Sequence, residues 1–136
     1  MQNPSVVRVV PFLLLLALAG CAGGDDDPDE VRQTLRDFVE ATNERDGDTL
    51  CGELLTQEYL EKSTLATGDQ AGEACRQQLE VTSGLRLQLI SIGRTEVDGD
   101  RATVRAVIEA DGVRAPRLFR LEQEDGRWKL ADGSDG

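Results

Sequence analysis

The side chains that could carry out chemistry are few in this chain, which has no histidine, three cysteines, one tyrosine and one tryptophan. Histidine titrates near neutral pH and is the most frequent general base, so the commonest acid–base catalyst is absent. The sequence has no Gly-x-Ser-x-Gly, phosphate-loop or His-Glu-x-x-His motif, and Thr64, Thr67 and Ser91 have no base to activate them. We therefore predict that the chain is not an enzyme, with no catalytic residue, no cofactor and no metal.

Two polar side chains remain as candidates for contacts with a ligand. Tyr59 is the only tyrosine, and an aromatic ring with a polar tip suits a cavity mouth as well as ordinary packing at the edge of a core. Arg117 is the one charged residue that the strand pattern described below turns towards the apolar face. We expect any ligand-binding site to include Arg117 and Tyr59, whereas Trp128 is assigned to packing.

The segment Leu18-Ala19-Gly20-Cys21 ends an apolar run that starts at residue 9. An apolar run that ends in small residues and a cysteine resembles the lipobox of bacterial lipoproteins. Residues 9–19 are too few for a membrane-spanning helix, which needs about 20 residues, but they fit the core of a signal peptide. The resemblance implies that residues 1–20 are a lipoprotein signal peptide and that Cys21 receives a diacylglycerol. A membrane anchor or ordinary secretion is the alternative.

A lipid on Cys21 places the domain on the outer face of the cell membrane, because two acyl chains hold a protein stably whereas one does so only marginally. Residues 21–27 are rich in Gly and Asp, a composition typical of a flexible tether. The expected partners are the membrane, through the N-terminal lipid, and an envelope protein or a small apolar ligand.

The chain is strongly acidic, with 26 Asp and Glu against 15 Lys and Arg and a formal net charge of −11. Because phosphate recognition needs a basic patch, this balance excludes nucleic acid as a partner. The net negative charge also disfavours electrostatic binding of the protein to anionic lipid. We interpret the acidity as a means of keeping the surface solvated and the protein soluble.

Cys51 and Cys75 are the two cysteines that remain once the lipid takes Cys21. An even pair outside the cytoplasm is typical of a disulfide. Two free buried thiols are the alternative, and two cysteines without any histidine make a poor zinc site. Both residues fall on apolar helical faces, so the predicted bond joins the second helix to the third.

Helical periodicity predicts three helices ahead of the strands. The first starts at Asp27-Pro28, and its apolar face carries Val31, Leu35, Phe38, Val39 and Thr42. The second starts at an Asp48 cap, and a turn through Tyr59 and a loop at 63–68 follow it. The third covers about residues 69–82.

From residue 85 the apolar spacing changes to a period of two, and Asp-Gly pairs at 98–99, 111–112 and 125–126 predict hairpins. Four antiparallel strands result, at about 86–97, 101–110, 113–124 and 127–132. Two-residue turns at the last two pairs place Val104 opposite Phe119 and Leu121 opposite Leu130. One face then collects Ala102, Val104, Ile108, Phe119, Leu121, Trp128 and Leu130, with Ile90 and Ile92 added by an odd-length first loop. The other face is mainly polar and includes Lys129.

Helices followed by a meander that ends in Glu-Asp-Gly-Arg-Trp-Lys-Leu, residues 124–130, resemble the nuclear transport factor 2-like superfamily and its SnoaL-like members. The likeness is greatest to small lipoproteins of high-GC Gram-positive bacteria, covers about residues 28–132, and includes the turn Asp46-Gly47-Asp48. It implies an α+β cone in which three N-terminal helices pack on a curved four-stranded antiparallel meander. Residues 133–136 are expected to form a disordered tail.

That superfamily includes isomerases, cyclases, dehydratases, ligand carriers and partners of other proteins, so its fold leaves the function open. Its enzymes place an Asp, often with His or Tyr, inside the cone, and no Asp of this chain maps onto that position. We expect a membrane-anchored extracytoplasmic lipoprotein that is a non-enzymatic binding module for an envelope partner or a small apolar ligand. The alternatives are an isomerase- or cyclase-like enzyme of the same fold and an accessory structural module without a ligand.

Overall fold

The computed structural model describes residues 27–82 and 84–136. Its elements, in chain order, are α1 Asp27–Glu44, α2 Gly47–Thr49, a π-helical stretch Leu50–Leu54, α3 Gln57–Thr64, α4 Asp69–Val81, β1 Leu87–Asp98, β2 Arg101–Ala110, β3 Val113–Glu124 and β4 Arg127–Asp135. The predicted signal peptide, Cys21 and all of the tether except Asp27 lie outside the described residues. Within the described part, no helix combines the length and the hydropathy needed to cross a bilayer.

The four strands form one antiparallel sheet in the order β1-β2-β3-β4. The predicted partners are confirmed, with Val104 opposite Phe119 and Leu121 opposite Leu130. Both residues of the turns at 111–112 and 125–126 have positive φ, as a two-residue type I′ turn requires. The face that these turns define is the core of the domain, because its seven predicted residues in β2, β3 and β4 are all buried.

β1 departs from the predicted register at two bulges. Asp98 pairs with Arg101 across a two-residue turn, whereas an odd-length loop was expected. Further along β1, a first bulge places residues 93 and 94 opposite the single residue Arg105. Ile92 returns to the core face. A second bulge leaves Ile90 as an extra residue on the outer side, where it is 39% exposed. The prediction that Ile90 shares the core face is therefore wrong, because each bulge reverses the alternation of the strand.

Helix α1 lies along β1 in the opposite direction and covers the core face. Near its start, Arg32 Nε donates to Thr95 Oγ1 at 3.1 Å, and near its end Asn43 contacts Leu87. α1 therefore begins at the end of the sheet that carries the β1–β2 turn, and it ends beside the first residue of β1. The first half of its apolar stripe is fully enclosed, since Val31 and Leu35 are both 0% exposed, whereas Phe38 and Thr42 are half-buried.

The second helix differs from its prediction. Asp46, and not Asp48, caps it, because the Asp46 carboxylate accepts from the Thr49 N–H at 3.1 Å. A further hydrogen bond from the Thr49 hydroxyl is the main reason that the pKa of Asp46 is lowered. Beyond Thr49 the helix widens into the π-helical stretch, which carries Cys51.

The predicted disulfide is confirmed: Cys51 is bonded to Cys75, with their Cα atoms 6.0 Å apart. Cys51 belongs to the π-helical stretch and Cys75 to α4, so the bond joins the second helical segment to the helix that ends just before the strands. Cys51 is 2% exposed and Cys75 is 8% exposed, which places the bond inside the helical layer.

The chain between Cys51 and Cys75 contains a helix that the sequence pattern did not predict. Leu55 leaves the π-helical stretch in an extended conformation and forms a parallel bridge with Leu130 of β4. α3 then replaces the predicted turn. Its start covers one end of β4, where Gln57 N donates to Glu124 Oε2 at 3.2 Å. Lys129, predicted on the polar face of the sheet, is only 7% exposed there and has its Nζ 3.3 Å from the same Glu124 oxygen.

β4 continues to Asp135, beyond the predicted domain end at 132. Ser134 is opposite Leu118, and Gly136 N donates to Pro116 O at 3.2 Å. A bulge between Arg120 and Leu121 shifts the register by one residue, which is why alternation counted from the turn does not reveal the extension. Residues 133–135 are thus strand where a disordered tail was expected.

Candidate functional site

A pocket of about 210 Å³ lies between the core face of the sheet and the helices. We call it the cone pocket. It is at the end of the sheet that carries the β2–β3 turn, because it includes Leu87, the first residue of β1, and its partner Ala110, the last residue of β2. The described residues that line it are Phe38, Tyr59, Leu87, Ile108, Ala110, Arg117, Phe119, Leu130 and Gly133.

Two phenylalanines in the pocket wall pack against each other. The ring centroids of Phe38 on α1 and Phe119 on β3 are 6.4 Å apart, with an angle of 57° between the ring planes. Tilted aromatic pairs at this distance are favourable and leave ring faces available to a neighbouring apolar group. Gly133 lies against the second ring, since a Cβ atom at this position would be 3.4 Å from Cδ1 and Cε1 of Phe119.

Tyr59 is held at the pocket by the capping residue of its helix. Thr56 is 2% exposed, and its N–H donates to Leu130 O of β4 at 2.9 Å. The Thr56 hydroxyl accepts from Tyr59 N at 3.2 Å, which satisfies one of the free N–H groups at the start of α3. One residue thus ties the first turn of α3 to the sheet and fixes where Tyr59 lies.

The environment of Tyr59 keeps its phenol neutral. Burial raises the pKa of the Tyr59 hydroxyl, and the nearby Asp132 carboxylate raises it further. Both effects disfavour the phenolate, the first by desolvation and the second by like charge. At neutral pH the group is therefore a hydroxyl that can donate a hydrogen bond.

Arg117 enters the pocket from the sheet. It is opposite Ala106 and on the same side of β3 as Phe119, as the two-residue turns predict, and it is half-buried. The structure therefore brings the two residues singled out from the sequence, Arg117 and Tyr59, to one pocket. Their neighbours in its described lining are apolar side chains and one glycine.

Some lining residues could not be recognised from sequence as parts of a site. Phe38 and Leu87 follow the ordinary apolar periodicity of a helix and a strand, which gives no sign of a pocket. Gly133 lies beyond the predicted domain end. Among the described residues, no group of three or more Asp, Glu or Cys side chains is arranged to hold a metal ion, and the cone pocket offers donors of hydrogen bonds instead.

The chain matches no family model and no curated protein, but it is similar to solved structures. A five-substitution variant of the protein Rd1NTF2_05 matches 82% of this chain and 100% of its own, with 14% identity and a TM-score of 0.54. A candidate scytalone dehydratase from Novosphingobium aromaticivorans matches 81% of this chain and 87% of its own, with 17% identity and a TM-score of 0.50. A candidate ketosteroid isomerase from Kribbella flavida matches 81% and 82%, with 20% identity and a TM-score of 0.48.

The first two likenesses establish the fold. Four helices and a four-stranded antiparallel sheet form the α+β cone of nuclear transport factor 2-like proteins, which confirms the predicted fold class with one more helix than expected.

The prediction that the chain is not an enzyme is wrong. Missing motifs and the absence of histidine are not sufficient grounds for excluding catalysis in this fold. The same fold occurs in the Novosphingobium protein, which is named as a candidate dehydratase. The fold therefore does not exclude an enzyme.

Proposed function

We propose that the cone pocket binds a small, mainly apolar molecule and polarises an oxygen atom of it with Tyr59 and Arg117, in the manner of an isomerase- or cyclase-like enzyme. The observation that carries the proposal is that these two polar side chains line one otherwise apolar pocket. Pockets of this kind, apolar with a few convergent polar groups, are the usual form of small-molecule sites.

The chemistry of the two groups supports an oxyanion-stabilising role. A neutral phenol donates one hydrogen bond, and a guanidinium donates several while carrying a positive charge. Both favour the negative charge that develops on a carbonyl oxygen during enolisation, in which the α-proton passes to solvent because the described lining contains no carboxylate to accept it. Donors that are already oriented act strongly, because they need no reorganisation when the charge forms.

The pocket also sets the size of the ligand. A volume of about 210 Å³ suits one ring with few substituents. Phe38 and Phe119 offer ring faces for apolar contact, and the polar atom of the ligand would lie towards Tyr59 and Arg117. A cyclic enone such as cyclohexenone has this combination of a small apolar ring and one carbonyl oxygen.

The proposal is tested with cyclohexenone as the probe, by nuclear magnetic resonance in deuterated buffer. We expect the probe to perturb the Phe38 and Phe119 signals and its α-hydrogens to exchange faster with the protein than without it. Tyr59→Phe and Arg117→Ala should each slow the exchange by about a hundredfold to a thousandfold, as loss of one oxyanion donor does. Arg114→Ala is the matched control, because Arg114 lies on the same strand but pairs with Glu109 on the outer face. Absence of binding would refute the site, and binding with equal exchange rates in all variants would refute the polarising role.

We also propose that the protein is a lipoprotein anchored through Cys21 to the outer face of the cell membrane, where an envelope protein or a small apolar molecule would be its partner. The support is the apolar run that ends at Leu18-Ala19-Gly20-Cys21 and the confirmed disulfide, since such bonds persist in oxidising compartments. Cys21→Ser should release the protein from membranes and remove the lipid mass. An unchanged mass and an unchanged membrane fraction would contradict this proposal.

A further inference from the structure

A second hollow lies on the other side of Tyr59. It has a volume of about 540 Å³ and lies between α3 and the outer side of β3 and β4. We call it the outer groove. Its polar walls include Lys62, Arg120, Glu122 and Asp132. It is thus larger and far more polar than the cone pocket.

Tyr59 and Gly133 line both hollows, so together they form the wall between them. Gly133 contributes no side chain to this wall, and a Cβ atom there would already touch the Phe119 ring at 3.4 Å. The wall carries no side chain at Gly133, and elsewhere it consists of the half-buried ring of Tyr59, so the two hollows lie directly next to each other. A molecule with two parts joined by a short link could occupy both hollows past these two residues.

Four of the five charged side chains in the described lining of the outer groove form two pairs within it, and the fifth, Glu122, lies 3.9 Å from Arg101 outside the groove. Arg120 Nη1 lies 2.8 Å from Asp132 Oδ2, and Lys62 is paired with Glu58 one helical turn away. A charged head group would have to compete with one of these pairs. Hydroxyl groups can instead donate to the carboxylates and accept from the guanidinium or the ammonium while the pairs remain.

We propose that the site is bipartite: the cone pocket takes an apolar ring, and the outer groove takes an uncharged, hydroxyl-rich head group, such as a sugar, linked to the ring past Tyr59 and Gly133. This inference rests on the proposed function, because it requires the cone pocket to bind a ligand. It adds the chemical class of that ligand, a glycoside-like molecule with a compact apolar aglycone.

The test compares two probes on the full-length chain by titration calorimetry, phenol as the bare ring and phenyl glucoside as the ring with a sugar. We expect the glucoside to bind at least about tenfold more tightly than phenol, the gain that hydrogen bonds to charged groups bring. Asp132→Asn should lower this ratio towards unity without changing the affinity for phenol. Retained phenol binding also proves that the variant is folded. Asp98→Asn is the control, because Asp98 lies in neither hollow, and it should leave both affinities unchanged.

The outcomes separate the two proposals. If phenol binds and the glucoside binds no better, or if Asp132→Asn leaves the ratio unchanged, the bipartite site is overturned and the cone pocket stands. If phenyl phosphate or phenyltrimethylammonium gains more over phenol than the glucoside does, the head-group class is overturned. If neither phenol nor the glucoside binds, both proposals fall. A glucoside gain that is lost in Asp132→Asn while phenol binding is retained supports the bipartite site.

Discussion

Asn43 and Leu87 are joined by two hydrogen bonds, one in each direction. Asn43 Nδ2 donates to Leu87 O at 2.8 Å, and Asn43 Oδ1 accepts from Leu87 N at 2.8 Å. The side chain of Asn43, near the end of α1, thus makes the two hydrogen bonds that the backbone of a neighbouring strand would otherwise make with Leu87, the first residue of β1. Leu87 also lines the cone pocket, so this pair fixes one wall of the candidate site.

Asn43→Ala should lower the free energy of unfolding by about 1–3 kcal/mol, because it leaves a donor and an acceptor of Leu87 without partners in a half-buried position. Urea unfolding can be followed by the fluorescence of Trp128, the only tryptophan. Glu44→Ala, at the next and exposed position, is the control and should change stability by less than about 0.5 kcal/mol. Equal effects of the two substitutions would show that the paired contact contributes nothing.

Because of the two bulges in β1, we expect unequal losses of stability when two isoleucines that lie two residues apart are replaced by alanine. Ile92→Ala should destabilise by about 2 kcal/mol, because it removes apolar contacts with the core. Ile90→Ala should cost less than about 1 kcal/mol, as exposed positions usually do. The same denaturation measurement decides the matter, and a larger loss for Ile90 than for Ile92 would mean that the register of β1 is wrong.

The disulfide closes a loop between residues 51 and 75. Replacing both cysteines by alanine should reduce stability by about 3–4 kcal/mol in the chain-entropy model. The measurement is unfolding of the wild-type and double-variant proteins under oxidising conditions, together with a thiol titration of the wild type. Free thiols found at both Cys51 and Cys75 in the native, oxidised protein, assigned by peptide mapping so that Cys21 is counted separately, would disprove the bond.

The raised pKa of Tyr59 predicts that the protein loses stability at alkaline pH. Its native pKa is raised above the ordinary value of 10.0 by burial and by the Asp132 carboxylate. Below pH 10.0 the Tyr59 hydroxyl keeps its proton in both the native and the unfolded state. Above this pH the unfolded state loses the proton first. The native state binds more protons in this window, so the free energy of unfolding falls as pH rises from about 10.0 through the native pKa.

The comparison of wild type with Tyr59→Phe isolates this effect, because the raised pKa of Lys62 acts equally in both proteins. Stability of the wild type should fall relative to the variant above the ordinary tyrosine pKa. The ultraviolet absorbance of tyrosinate gives the native pKa directly, since Tyr59 is the only tyrosine. Titration at or below the ordinary value would contradict the burial argument.

The sequence predicts the sheet well where local chemistry determines it. Asp125-Gly126 can adopt the positive φ values of a type I′ turn, and the alternation of β3 and β4 next to it follows from a period of two. It predicts β1 poorly, because the bulges around Ile90 and Ile92 have no local signal. They satisfy the curvature of the whole sheet under α1, which depends on residues far away in sequence.

The candidate site could be predicted in part. Arg117 is recognisable from sequence because the strand register turns a charge inward, and a charge at such a position is rarely ordinary packing. Tyr59 is recognisable because it is the only tyrosine. Its helix is not predictable from local sequence, because the N–H of the capping residue Thr56 is bound by β4, which is distant along the chain. The outer groove could not be predicted, since it forms where α3 meets the outer side of β4, and that contact comes from tertiary structure alone.

The position of α1 along β1 places the start of the domain and the cone pocket at opposite ends of the sheet. α1 begins at the end of the sheet opposite the cone pocket, and fully extended chain from Cys21 to Asp27 could reach at most about 20 Å. If Cys21 carries the proposed lipid, the domain is tethered to the bilayer from the end of the sheet that lies away from the cone pocket. Molecules would then enter from the aqueous phase and not by lateral diffusion within the membrane, so that the protein would sample what passes the cell surface.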